Sequence, residues 1–80
     1  MFRYEPIAID DLSYTDLRAE AQRWPGAQAY VVYPDGYADR TEAVWFAYAG
    51  VIMLAMGGDA DAVDAPDVET GIATLIERVR

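Results

Sequence analysis

Residues 41–58 read TEAVWFAYAGVIMLAMGG, and the fold depends on whether this run is one buried helix or two strands. A helix apolar on every side needs protein all around it, which an 80-residue chain can scarcely supply. Gly50 interrupts the run near its middle, and Val44, Trp45, Phe46, Tyr48, Val51 and Ile52 are residues that favour strands. The run therefore predicts two strands, Thr41–Ala49 and Val51–Met56, joined tightly near Ala49-Gly50.

In such a hairpin Val44, Phe46 and Tyr48 point one way, and Trp45, Ala47 and Ala49 the other. Both sets are apolar. Either two helices cover opposite faces of the sheet, or another copy of the chain covers one of them. The second arrangement makes Trp45, Ala47 and Ala49 a self-association surface and the protein a homodimer.

The flanking segments supply the helices and further strands. Phe2–Ile9 contains Pro6 and reads as an edge strand or extended arm. Asp10–Trp24 reads as a helix: Tyr14, Leu17, Ala21 and Trp24 share a face, Ser13 and Asp16 approximate a capping box, and Pro25-Gly26 stops it. Gln28–Tyr33 reads as a strand, closed by a turn at Pro34-Asp35-Gly36. At the C-terminal end Val68, Ile72, Leu75, Ile76 and Val79 form an amphipathic stripe, with Asp64 as the expected cap and Pro66 in the first turn. The expectation is one α+β domain over residues 1–80, with order (β)αβββα. Its small antiparallel sheet of three to four strands packs on two helices.

Between the last strand and the last helix lies GGDADAVDAPD, Gly57–Asp67. A calcium loop of the EF-hand type requires glycine at its sixth position and glutamate at its twelfth. Counted from Asp59 those positions hold Asp64 and Thr70, so the pattern fails and no metal is expected. The segment reads as a solvated loop that ends in a cap.

Composition narrows function further. The chain has no histidine and no cysteine, which removes His-dependent triads, thiol chemistry and the usual zinc sites. Its glycines form no phosphate-binding motif, and its carboxylates show no catalytic spacing. The expectation is a non-enzyme without cofactors. Fourteen acidic residues against six basic ones give a net charge of −8, which disfavours direct contact with nucleic acid or an anionic membrane. The 54% of apolar residues is enough for a core and marks a folded domain. With no signal-like N-terminus, a cytoplasmic location is expected.

The remaining candidates are binding residues. Asp16, Glu20, Asp35, Asp39, Asp59 and Asp61 are neither obvious caps nor part of an apolar stripe. Tyr37, in a polar turn, adds an amphipathic contact. Together they suit a basic protein partner, with carboxylates standing in for phosphates. In size, acidity and lack of cysteine the chain resembles small inhibitory proteins such as phage anti-CRISPR and anti-restriction proteins, immunity proteins and antitoxins. That resemblance has no motif behind it and assigns no residue. The other expectation is an accessory subunit that pairs through its sheet.

Overall fold

The computed structural model describes residues 1–36, 39–47, 50–56 and 59–79. Five strands form one antiparallel meander in sequence order: β1 (Arg3–Ile7), β2 (Ala27–Tyr33), β3 (Thr41–Phe46), β4 (Val51–Met56) and β5 (Asp59–Asp64). Helix α1 (Thr15–Arg23) lies between β1 and β2, and α2 (Val68–Val79) follows β5. The α+β class and the two helices agree with the sequence reading. The strand count does not, because the sheet has five strands and the order is βαββββα.

The additional strand is DADAVD, expected as a loop. Aspartate and alanine are poor strand formers, so local preference gives no hint of it. The demand comes from β4, whose outer edge is otherwise an unpaired row of backbone groups. β5 pairs with all of β4, from Val51 opposite Asp64 to Met56 opposite Asp59. Its own outer edge is blocked at the centre. The Ala62 N–H donates to Asp61 Oδ1 at 2.9 Å, and the Ala62 carbonyl accepts from the Arg78 guanidinium at 3.2 Å. Side chains thus hold the groups that a further strand would need.

The β3–β4 hairpin follows the predicted break. Gly50 adopts φ 63°, in the left-handed region that favours glycine, and its N–H bonds the Phe46 carbonyl at 3.0 Å. Its carbonyl then accepts from Ala65 at 2.8 Å, which ties the end of β5 to this turn.

The two helices take opposite faces. Leu17 and Ala21 of α1 join Leu12, Ala29, Val44, Phe46 and Ala55 in one buried cluster. Ile72, Leu75 and Ile76 of α2 join Val32, Ala43, Ile52 and Leu54 in another. The neighbours Ala43 and Val44 lie in different clusters, as strand alternation requires. Each face of the hairpin therefore carries one helix of the same chain.

The first helix is shorter than its sequence pattern. Ile9–Asp11 forms a 3₁₀ turn, Leu12 is extended at φ −64°, ψ 131°, and α1 begins only at Thr15. Tertiary contacts override local periodicity here. Leu12 is buried in the α1-side cluster, and Glu42 on β3 takes the amides that follow it. Tyr14 is the N-cap and provides no side-chain bond, so the expected Ser13 box does not form. Instead the Glu42 carboxylate, 2% exposed, accepts from Ser13 N–H at 2.9 and 3.0 Å and from Tyr14 N–H at 3.3 Å. A residue from the middle of the sheet caps the helix.

The start of α2 also differs from expectation. Asp67, not Asp64, is the cap: its Oδ1 accepts from Thr70 N–H at 2.7 Å, and this bond holds the carboxyl below its ordinary pKa. Within α2, Gly71 approaches β4 so closely that an added Cβ would stand 2.5 Å from Ile52 Cγ2 and 3.2 Å from Ala65 Cβ. Alanine normally stabilises a helix interior by about 1 kcal/mol over glycine. Here the overlap outweighs that gain, because Ile52 is fully buried and β-branched and cannot swing aside. Gly71→Ala is expected to lower stability by about 1–3 kcal/mol in chemical denaturation. A rise in stability would show that the helix–sheet contact is looser than this geometry.

Candidate protein-binding surface

An antiparallel meander places alternate turns at the same end of the sheet. The β2–β3 connection leaves Tyr33 and re-enters at Thr41, and the β4–β5 connection leaves Met56 and re-enters at Asp59. Glu42, opposite Ala55 in the register, draws the start of α1 to that same end. The topology therefore gathers Asp16 in the first turn of α1, Asp35 and Asp39 between β2 and β3, and Asp59 at the start of β5. These residues are distant in sequence and come from three regions of the chain.

The other candidates are placed differently. Asp61 lies farther along β5, half-buried, with its Oδ1 3.8 Å from the Arg78 guanidinium. Glu20 is half-buried one turn beyond Asp16, where it accepts from Trp24 Nε1 at 3.0 Å and from Arg23 at 3.2 Å. Of the residues expected to mediate self-association, Trp45 packs against the α2-side cluster and Ala47 is exposed in the β3–β4 turn. Ala49 and Tyr37 lie outside the described residues.

The charges divide in a way the sequence does not reveal. Every arginine among the described residues is held by an acceptor of its own chain. Arg3 pairs with Glu5 at 2.7 Å and lies 3.9 Å from the centre of the Tyr33 ring. Arg18 donates to the Leu12 carbonyl, Arg23 pairs with Glu20, Arg40 approaches Glu42 at 3.8 Å, and Arg78 joins Asp61 and Ala62. Meanwhile Asp11, Asp16, Asp39, Asp64, Glu69 and Glu77 are exposed and carry no partner among the described residues. The cations are committed internally, and the surplus of negative charge faces outward.

Each helix covers only half of its sheet face. α2 packs on β4 and β5, leaving Phe2, Tyr4 and Tyr30 half-buried over β1 and β2. Tyr4 and Tyr30 meet edge to face at 5.5 Å, and burial, with a smaller contribution from Tyr4, raises the Tyr30 hydroxyl above its ordinary pKa. On the opposite face α1 packs on β2 and β3, so β4 and β5 lack a helix. A pocket of about 380 Å³ opens there. Leu17, Met53, Ala55 and Ala60 supply its apolar lining, and Tyr14, Asp16 and Glu20 line it from the α1 side.

The sequence singles out Asp16 and Glu20 but not the pocket, because its local preferences place Ala60 in a loop. The available signal was the alternation in DADAVD, which sets Ala60 and Ala62 on one side and Asp61 and Val63 on the other. Among the described residues no three metal-ligating side chains come together, and no helix is long and apolar enough to cross a membrane. Comparison with known protein families, characterised proteins and solved structures returned no match.

Proposed function

We propose that this chain is a non-catalytic, cytoplasmic binding protein that engages a basic protein surface through its outward carboxylates. The observation that carries this reading is the charge division: each described arginine is occupied within the chain, while six exposed carboxylates have no partner among the described residues. A partner therefore meets a net negative charge, with each described arginine already beside an acceptor of its own chain, which favours fast, oriented encounter with a basic groove. In its sharper form the protein is an inhibitor whose carboxylates occupy positions that nucleic-acid phosphates would take. Spread over a helix turn, a loop and an edge strand, Asp16, Asp35, Asp39 and Asp59 suit a surface that contacts several phosphates at once.

The test is a titration against a basic partner isolated from the native host, at low and high salt, with duplex DNA as competitor. Wild-type affinity should fall steeply as salt rises, and DNA should compete. Replacing one aspartate should weaken binding only modestly. Reversing Asp16, Asp35, Asp39 and Asp59 together to lysine should weaken it by about 100-fold or more with the fold intact, since like charges then face each other. Binding indifferent to salt would reject the reading.

A further inference from the structure

We infer that the pocket between α1 and the β4–β5 strands receives an arginine side chain from the basic partner. This deepens the preceding reading and rests on it. Its lining has two parts that match the two parts of an arginine. Leu17, Met53, Ala55 and Ala60 form an apolar surface for the aliphatic stem, and Asp16 and Glu20 present carboxylates to the guanidinium.

The sign of the ligand follows from the end of α1 that borders the pocket. A helix N-terminus ordinarily attracts anions through its free amides. Here the Ser13 and Tyr14 amides are already taken by the buried Glu42 carboxylate. The charge of Glu42 already sits at this end of the helix, and the Asp16 and Glu20 carboxylates add to it, so an anion is opposed and a cation is favoured. Glu20 is held in place by Trp24 and Arg23, while Asp16 has no partner among the described residues. One carboxylate is thus pre-positioned and the other is available. Guanidinium fits better than ammonium because it is less strongly hydrated, binds carboxylates through two parallel bonds, and can lie against the Tyr14 ring.

The experiment is an NMR titration of the full chain with N-acetyl-arginine amide, with the citrulline and lysine analogues in parallel. Arginine should shift the amides of Leu17, Met53, Ala55 and Ala60. Citrulline has nearly the same shape without the charge and should bind at least about tenfold more weakly, with lysine in between. Asp16→Asn, at an exposed position, removes charge without filling space, and Ala60→Leu, also exposed, fills space without removing charge. Each should reduce the arginine affinity about tenfold or more, while Glu5→Lys, on β1 at the opposite edge of the sheet, leaves it nearly unchanged. Equal binding of citrulline overturns the proposal, as does a Glu5→Lys loss matching that of Asp16→Asn. Weak, salt-sensitive shifts spread over all the exposed carboxylates would also overturn the pocket, yet leave the dispersed acidic surface standing. Salt-indifferent binding of the whole partner would instead remove the broader reading.

Discussion

Glu42→Ala is expected to destabilise the domain by about 2–4 kcal/mol, because two half-buried backbone N–H groups lose a charged acceptor. The carboxylate lies 2% exposed in the sheet centre, and it is the only hydrogen-bond acceptor that the structure provides for the Ser13 amide among the described residues. Its desolvation is partly offset by Arg40 at 3.8 Å and by the positive end of the α1 dipole. Shape alone does not reproduce this. Glu42→Met, which keeps much of the volume, should remain well below wild type, whereas Glu42→Gln keeps one acceptor and should fall between them. Amide exchange at Ser13 and Tyr14 should quicken in the alanine variant beyond the change in global stability. If the methionine variant matches wild type, the role of Glu42 is packing and the cap is incidental.

The same residue shows why parts of this molecule resist reading from sequence. In DRTEAVWF, Glu42 looks like one more charge ahead of an apolar strand. Its burial becomes evident only when Leu12, Val31 and Ala55 are placed around it, and those come from three other segments. The hairpin was legible because Gly50 and the β-branched residues act locally. The α2 stripe was legible because helical spacing repeats over three turns. β5 was not, since Asp-Ala-Asp-Ala has no intrinsic preference for a strand and takes its form from the open edge of β4. The site follows the same division. Asp16, Glu20, Asp35, Asp39, Asp59 and Asp61 could be singled out individually as surface carboxylates. The sorting of Asp16 and Asp39 as exposed and of Glu20 and Asp61 as internally paired depends on where the arginines reach, and the pocket beneath Asp16 depends on β5.

Leu75→Ala is expected to cost about 2–5 kcal/mol, the range for truncating a fully buried leucine. Leu75 is 0% exposed between Ile72 and Ile76, in the cluster that fixes α2 to the sheet. A domain of this length has about 4–12 kcal/mol in total, so the loss is a large fraction of its stability. The void has little means of closing. β4, on the other side of the contact, is hydrogen-bonded to strands on both sides, and Gly71 already brings the helix backbone close to Ile52. The loss should also reach the α1 face. Ala43 and Val44 belong to opposite clusters yet share one strand, so neither cluster can melt while the other keeps β3 in register. Urea denaturation should therefore show a lower midpoint with an unchanged slope, and slowly exchanging amides of Leu17 and Ala21 should speed up together with those of Ile72. An unchanged midpoint would mean that α2 contributes little to the core. A lower midpoint with α1-face exchange unaffected would mean that the two faces unfold separately, and that β3 does not couple them.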